Sequence, residues 1–264
     1  MNRLQQALQE SPRKPLLGVA LYFYDPVFLE IAAHLGFDVV WIEMEHAFLT
    51  FAQAADLCRM TTGHGMLSMI RIPDARRESI LKAAECGPDI IDLPMANSPQ
   101  QVLDLLRNAR FAPLGQRGYF SVSRALRYGL VDSVPDAQQD VNRDLSLMVQ
   151  VETKESADCI EELCSIPGVD IFIGPADLSA SLGVPGQTTH PKVAEVARRL
   201  VRVVHEHGKN VAVAVNSTEA EFWIDLGANV LFCTNDISSL KFGAQAALHE
   251  TEAAITAVAR KVNR

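Results

Sequence analysis

The chain has 264 residues, and 48% of them are hydrophobic, which is enough to fill the core of one large α/β domain or two small ones. Its formal net charge is −8 and it contains no run of basic residues, so nucleic acid and anionic membranes are not expected as partners. No apolar run approaches the roughly 18 residues that a membrane-spanning helix needs.

The start of the chain and its cysteines favour a cytoplasmic location. Residues 1–15 are polar and lack the apolar core of a secretory signal. The cysteines are scattered along the chain without a Cys-x-x-Cys pair, and we expect reduced, mostly buried thiols at Cys58, Cys86, Cys159, Cys164 and Cys233.

Eight apolar runs recur along the chain, and segments with helical patterns separate them. Most of these runs are almost continuously hydrophobic, as is typical of parallel strands that are buried on both faces. The predicted strands cover residues 16–21, 39–43, 67–72, 90–93, 145–151, 170–173, 211–215 and 230–233.

The intervening segments carry signals for helix boundaries. Asp25 followed by Pro26 predicts the start of one helix and Gly36 predicts its end, while Thr218 and Glu221 have the spacing of a capping box. Strands and helices alternate eight times, which predicts a single (β/α)₈ barrel domain over residues 1–264. A doubly wound open sheet is the alternative.

One long stretch, residues 111–140, interrupts this alternation. It contains prolines and glycines and lacks a clear helical or strand period. Irregular segments of this length in compact domains are often functional, so we expect it to form a loop over the mouth of the barrel.

Two carboxylates are predicted to meet at the end of neighbouring strands. Glu152 ends the fifth predicted strand, and Asp177 follows the sixth, with a helical pattern over residues 153–165 between them. Parallel neighbouring strands place both acids at the same end of the sheet, where oxygen ligands favour a hard cation such as Mg²⁺ or Mn²⁺. The alternative is two unrelated acids at strand ends, one of which caps a helix.

Other polar residues follow the strands at the same predicted end. Arg71 ends an apolar run, and its planar fork suits a carboxylate or a developing oxyanion, although it could also form a surface ion pair. His46 follows the second strand among acids and could equally be a structural histidine. Glu85, near the end of the helix predicted after the third strand, is either a solvated acid or the residue that orients His46.

Some chemistries are disfavoured by what the strand ends lack. The turns after the last two strands are not rich in glycine, so a phosphorylated substrate is not expected. No lysine ends a predicted strand, which leaves an aldolase of the Schiff-base type without an obvious nucleophile.

Four motifs, taken together, resemble the signature of the HpcH/HpaI aldolase family, and the similarity extends over about residues 16–235. They are Glu43-Met44-Glu45-His46, Arg71-Ile72-Pro73, Gln150-Val151-Glu152-Thr153 and Gly174-Pro175-Ala176-Asp177-Leu178-Ser179. The resemblance implies a metal-dependent class II aldolase that acts on a 2-oxo acid through a pyruvate enolate.

The resemblance also implies a role for individual residues. Glu152 and Asp177 would bind the metal, expected to be Mg²⁺ or else Mn²⁺ or Co²⁺. Arg71 would bind the 2-oxo oxygen and stabilise the enolate. His46, oriented by Glu85, would transfer protons.

Further positions would bind the substrate or support the site. Gln150 would hydrogen-bond near the metal, and the backbone at Pro175 and Ala176 would hold the substrate carboxylate. Glu43 stands where the family usually has Asp, and it would hold in place the residues that contact the substrate.

Other departures from the family pattern concern the acceptor substrate. Asp92 interrupts the fourth strand where an apolar residue is usual, and Ala20 stands where sugar-acid aldolases of the family often have Trp. The mouth is instead expected to be flanked by aromatic side chains at Tyr22, Phe23, Tyr24, Tyr119 and Phe120.

Three functions are compatible with these residues. The first is a carbon–carbon lyase that cleaves 4-hydroxy-2-oxo acids to pyruvate and an aldehyde. The second, seen among relatives in siderophore biosynthesis, is a citrate synthase-type condensation of oxaloacetate with acetyl-CoA. The third is a non-catalytic oxo-acid binding protein, against which the intact His46, Arg71, Glu152 and Asp177 argue.

The end of the chain is expected to mediate assembly. Residues 237–262 have a helical pattern with apolar residues toward one face. Family members exchange the eighth helix of the barrel between subunits, so the resemblance implies a homo-oligomer, a hexamer or a dimer.

Overall fold

The computed structural model describes residues 1–11 and 14–262, with side chains as far as residue 259. Eight parallel strands pair in chain order and β8 closes on β1, which confirms the predicted (β/α)₈ barrel and excludes the open sheet. The strands are β1 Leu16–Leu21, β2 Val39–Glu43, β3 Leu67–Arg71, β4 Ile90–Leu93, β5 Ser146–Val151, β6 Asp170–Ile173, β7 Val211–Ala214 and β8 Val230–Asn235.

Helices connect the strands and surround the barrel. They are α1 Arg3–Glu10, α2 Pro26–Leu35, α3 Phe51–Gly63, α4 Arg77–Glu85, α5 Pro99–Ala109, α6 Val134–Asp144, α7 Lys154–Asp158, α8 Ile160–Ser165, α9 Pro175–Ser181, α10 Pro191–Glu206, α11 Ala220–Leu226 and α12 Asp236–Val262, with a 3₁₀ helix over Arg124–Gly129.

Side chains on the strands alternate between the barrel interior and the layer under the helices. On β4, Ile90 faces the interior and Ile91 packs under the helices. A Cβ atom on Gly18 of β1 would lie 2.3 Å from the ring of Phe232, so glycine at this position lets the ring pack directly against the strand backbone. Aromatic rings with centroids 5.2 to 5.7 Å apart form a layer across the barrel: Trp41, Phe172 and Phe232.

The predicted helix boundaries hold in one case and fail in another. Asp25 caps α2 by accepting a hydrogen bond from Phe28, and Gly36 ends the helix with φ 86°. The capping box at Thr218 is wrong, because Thr218 hydrogen-bonds to Asn216 and α11 begins only at Ala220. The side chain of Asn216 therefore stabilises a turn where we predicted the first turn of a helix.

Residues 111–140 do not form a loop over the barrel mouth. Arg117 pairs with Glu85 at the carboxyl end of α4, and Arg124 donates to the carbonyl groups of Cys86 and Gly87, which precede β4. These contacts place the segment beside α4 and toward the amino-terminal end of the barrel. Tyr119 and Phe120 accordingly line a groove between α3 and α4 instead of the mouth.

The last helix, α12, has 27 residues and leaves the barrel after β8. Most of it is exposed, including large apolar side chains at Ile237, Leu240, Phe242, Leu248, Ile255 and Val258. Within residues 1–11 and 14–262, no helix combines the length and the apolar character that crossing a bilayer requires.

Candidate active site

Arg71 occupies the centre of a polar cluster at the carboxyl end of the barrel. It is the last residue of β3, and its side chain is only 6% exposed. Its Nε donates to Oε2 of Glu43 at 2.6 Å, and its Nη1 lies 3.2 Å from Oε2 of Glu45 and donates to Oε1 of Gln150, also at 3.2 Å. Three side chains from the ends of two other strands, β2 and β5, therefore fix one guanidinium.

The face of the guanidinium is fixed as well as its edge. The Cζ atom of Arg71 lies 4.6 Å from the centroid of the Trp41 ring, in the aromatic layer below. Burial by itself lowers the pKa of Arg71, but the charge of Glu43 and the hydrogen bond to it outweigh burial and raise that pKa. Arg71 therefore remains a cation in a set orientation.

Glu43 connects Arg71 to the segment that carries His46. It is fully buried, and while Oε2 accepts from Arg71, Oε1 accepts the backbone N–H groups of Glu45 and His46 at 2.7 and 2.9 Å. Both carboxylate oxygens are thus used for internal hydrogen bonds. Glu43 therefore holds Arg71 and the backbone of the His46 segment, and its supporting role in the site stays a prediction.

Glu152 lies where the fifth and sixth strands end. It is 2% exposed, and its Oε1 accepts the backbone N–H of Met95 at 2.7 Å. A Cβ atom on Gly174 would lie 2.5 Å from its Oε2, so glycine at this position makes room for the carboxylate. The motif that ends in Glu152 is therefore in direct contact with the motif that begins at Gly174, although their carboxylates, Glu152 and Asp177, are 25 residues apart in the sequence.

Negative charge accumulates around Glu152. Burial raises the pKa of its carboxyl group to about 7, and the carboxylates of Glu45 and Asp177 contribute in the same direction, against the Met95 N–H and Arg71. Asp177 is in the first turn of α9, which begins at Pro175, and the exposed Ala176 lies beside it. The chain thus gathers several carboxylates around a single guanidinium.

Glu152 and Asp177 are the candidate ligands for a divalent cation, because carboxylate oxygens are the donors that a hard cation prefers. Oε2 of Glu152 lies against Gly174. A bound cation would relieve the repulsion between Glu152 and the neighbouring carboxylates of Glu45 and Asp177. Among the described residues, no cluster of three or more His, Cys, Asp or Glu side chains has the arrangement of a metal site. Two protein ligands supplemented by water and substrate are typical of Mg²⁺.

His46 is the most accessible of the predicted catalytic residues, with a side chain that is 63% exposed. Its Nε2 lies 3.6 Å from Oε2 of Glu45, which is an ion-pair distance when the ring is protonated. The prediction that Glu85 orients His46 is wrong: Oε1 of Glu85 accepts from Nε and Nη2 of Arg117 at 3.2 and 3.0 Å. Residues 111–140 supply that arginine, and sequence spacing could not reveal the contact.

Sequence reasoning gave no role in the site to three residues of this region. Glu45 contacts both Arg71 and His46, a role that its position inside the Glu43–His46 motif could have suggested. Asp92 is fully buried in β4, in register with Arg71, and neither carboxylate oxygen has a hydrogen-bond partner among the described residues. Trp41 lies under Arg71, and only the barrel geometry identifies that contact.

The strand ends on the other side of the barrel have structural partners. Asn216, after β7, hydrogen-bonds to Thr218 within its own turn. Asp236, the first residue of α12, is fully buried, and its Oδ2 accepts the backbone N–H groups of Tyr22 and Phe23 at 2.8 and 2.9 Å. The aromatic residues after β1 are therefore held against the start of α12.

Comparison with known proteins gives consistent results at the levels of sequence and structure. The model of the HpcH/HpaI aldolase/citrate lyase family matches residues 21–234. The 2-keto-3-deoxy-L-rhamnonate aldolase of Salmonella gallinarum (strain 287/91 / NCTC 13346) is 31% identical over 231 residues, which cover 86% of this chain and 85% of that protein.

Two solved structures share the barrel. An HpcH/HpaI aldolase/citrate lyase family protein from Burkholderia cenocepacia J2315 superimposes with a TM-score of 0.86 at 28% identity, over 93% of this chain and 99% of the other. The citrate synthase SbnG superimposes with a TM-score of 0.83 over 95% of this chain and 97% of its own. At 22% identity, that likeness shows the fold alone.

Proposed function

Because this chain belongs to the HpcH/HpaI aldolase/citrate lyase family, we propose that it is a divalent-metal-dependent lyase that cleaves 4-hydroxy-2-oxo acids to pyruvate and an aldehyde through the pyruvate enolate. The observation that carries the proposal is the guanidinium of Arg71, fixed by Glu43, Glu45 and Gln150 at the barrel end where Glu152 lies against Gly174.

Glu152 and Asp177 are the residues that we assign to the metal, with Mg²⁺, Mn²⁺ or Co²⁺ as candidates. A divalent cation held there would polarise the 2-oxo group of the substrate as a Lewis acid. Gln150, whose Oε1 accepts from Arg71, would keep the guanidinium directed toward the same oxygen.

Arg71 is assigned to the oxygen that gains negative charge as pyruvate becomes an enolate. Its edge and its face are both held before any substrate arrives, so no reorganisation is needed when the charge develops. The substrate carboxylate would be held by the backbone N–H of Ala176, next to Pro175 at the start of α9, as the family resemblance implies.

His46 is assigned to proton transfer. Its Nε2 faces Glu45, so Nδ1 is the ring nitrogen that can exchange a proton with the substrate. Glu45, and not Glu85, is the carboxylate that lies beside the ring. The buried Glu43 holds the backbone of both residues in place.

A paired assay tests the proposal. Protein stripped with EDTA and reloaded with Mg²⁺ is given pyruvate and short aldehydes, and products are identified by mass spectrometry. We expect 4-hydroxy-2-oxo acids from the reloaded protein, none from the stripped protein and none from Glu152→Ala. The matched control Glu155→Ala alters an exposed acid of α7 and should behave as wild type. Full activity after stripping would refute the metal requirement.

A second arm of the assay examines the acyl-transfer alternative. The same metal-loaded protein is given oxaloacetate with acetyl-CoA. Citrate formed in this arm, without any product from pyruvate and aldehydes, would replace the lyase by a citrate synthase-type enzyme. Products from the aldehyde arm alone would support the lyase.

A further inference from the structure

Tyr22 is a polar aromatic residue at the mouth that the proposed steps on the pyruvate half do not use. It directly follows β1, and its backbone N–H is fixed by the buried carboxylate of Asp236 at 2.8 Å. Since Phe23 donates to the same oxygen at 2.9 Å, two consecutive residues are clamped at the start of α12. The position of Tyr22 is therefore determined by the barrel and not by a free loop.

The side chain of Tyr22 is directed into the mouth. It alternates with Leu21, which packs under the helices, and it packs against the interior cluster that includes Ala20 and Trp41. Burial raises the pKa of its hydroxyl, and the charge of Glu43 adds to this, partly opposed by Arg71. The phenol thus stays protonated at neutral pH and faces the same charges as the substrate would.

The order of strands places Tyr22 opposite the residues assigned to the pyruvate half of the substrate. In a closed barrel of eight strands in chain order, β1 lies across the interior from β5. Glu152 follows β5 and Asp177 follows β6, so a 2-oxo acid bound there extends its other end toward β1. Tyr22, which directly follows β1, is on the side toward which this end would extend.

We propose that Tyr22 contacts the acceptor half of the substrate, with its hydroxyl donating a hydrogen bond to the oxygen on C4 of a 4-hydroxy-2-oxo acid. The inference rests on the proposed lyase function and assigns a residue that the pyruvate half does not require.

The step balances without a further reactant. In cleavage the C4 hydroxyl loses its proton to His46, the residue assigned above to proton transfer, a C=O double bond forms at C4, and the C3–C4 bond breaks. The electron pair of that bond remains on the pyruvate fragment as the enolate, which is then protonated at C3. Tyr22 keeps its own proton throughout and stabilises the negative charge that passes through the C4 oxygen.

Tyr24 supplies a matched control from the same segment. It is exposed, and its hydroxyl donates to Asp56 on α3, outside the barrel mouth. Replacing either tyrosine by phenylalanine keeps the ring and removes only a hydroxyl, so both variants should fold.

The experiment compares two reactions of the Mg²⁺-loaded protein. Exchange of the pyruvate methyl protons in D₂O, followed by NMR, requires only the pyruvate half of the site. Cleavage of 4-hydroxy-2-oxopentanoate requires both halves. In Tyr22→Phe we expect the ratio of cleavage to exchange to fall on the order of 100-fold, the lower end of the range for loss of one donor to a developing oxyanion. In Tyr24→Phe the ratio should stay within about twofold of wild type, as its hydroxyl lies elsewhere.

The outcomes separate this inference from the function on which it rests. An unchanged ratio in Tyr22→Phe, or an equal loss of both reactions, would overturn the role of Tyr22. Wild-type protein that exchanges no pyruvate protons would overturn the proposed function itself. Calorimetric Mg²⁺ affinity should be the same in Tyr22→Phe and wild type, and a loss of affinity would assign Tyr22 to the metal side instead.

Discussion

Glu43 and Arg71 form a buried ion pair at 2.6 Å, and the same carboxylate of Glu43 also accepts the backbone N–H of His46. Neither side chain of the pair is more than 6% exposed. A charge pair removed from water is costly to assemble and costly to break. The pair lies at the ends of β2 and β3, among the proposed catalytic groups. Glu43 therefore connects the position of the Arg71 guanidinium to that of His46.

The first prediction concerns the shape of the Arg71 cation. Lys in its place could pair with Glu43, but it has no planar fork with which to reach Glu45 and Gln150 as well. We expect Arg71→Lys to lower kcat for aldol cleavage on the order of 10²- to 10³-fold, as is usual for loss of one oxyanion donor. The exposed Arg76→Lys serves as the control in the same steady-state assay. Turnover near that of wild type would mean that Arg71 is structural.

The second prediction concerns the pH dependence of the metal-free protein. The pKa of Glu152 is raised from its ordinary value of 4.5 to about 7, so the folded state binds this proton more tightly than the unfolded state. The resulting stabilisation is complete below pH 4.5 and is lost as the pH rises through 7. Relative to wild type, Glu152→Gln should gain on the order of 3 kcal/mol in the free energy of unfolding between pH 4 and pH 8.

Urea denaturation at several pH values in the presence of EDTA measures this difference. Glu155→Gln removes an exposed acid of α7 and should show the pH profile of wild type. A constant difference between Glu152→Gln and wild type from pH 4 to pH 8 would contradict the raised pKa.

The third prediction concerns Asp92 inside the barrel. Burial raises its pKa well above the ordinary value, outweighing the opposite effect of Arg71, and neither oxygen is hydrogen-bonded within the described part of the chain. Asp92→Leu removes an unsatisfied polar group and should raise the free energy of unfolding by about 1–3 kcal/mol at neutral pH. Ionisation of the buried Asp92 destabilises the folded wild-type protein as the pH rises, so the gain in the free energy of unfolding should be larger at pH 8 than at pH 5.

The variant Asp92→Asn separates charge from polarity. It removes the titration but keeps polar atoms at the same place, so its stability relative to Asp92→Leu should not change with pH. If Asp92→Leu were less stable than wild type at both pH values, the carboxyl group would have a partner that stabilises it.

The fourth prediction concerns the exposed apolar face of α12. Large apolar side chains on an exposed helix indicate a surface that another chain covers, and the family resemblance implies that this chain is a second copy. We expect the wild-type protein to form a homo-oligomer in light scattering, and deletion of residues 250–264 to lower its oligomeric state or its solubility. Leu248→Lys should weaken assembly, whereas Glu250→Lys should do so much less. A monomeric wild-type protein would contradict the prediction.

The barrel and the central acids could be predicted from sequence because each depends on local pattern. Continuous apolar runs identify strands buried on both faces, and the parallel βαβ rule brings Glu152 and Asp177 to one end. The carboxylate of Glu152 against Gly174 agrees with that expectation.

The surroundings of Glu85 and Asp92 could not be predicted, since they depend on how distant segments pack. Arg117 reaches Glu85 from an irregular segment that has no periodicity to read. Among the described residues neither oxygen of Asp92 has a hydrogen-bond partner, because its position on β4 places it inside the barrel, whereas the sequence around it indicates only a strand.

We propose that this site forms the enolate of pyruvate with a divalent cation and Arg71. Exchange of the pyruvate methyl protons in D₂O, followed by NMR, measures that step without any aldehyde. The proposal predicts exchange with Mg²⁺ that stops when EDTA is added and is lost in Asp177→Ala. Exchange at the same rate in EDTA, or in Asp177→Ala, would contradict it.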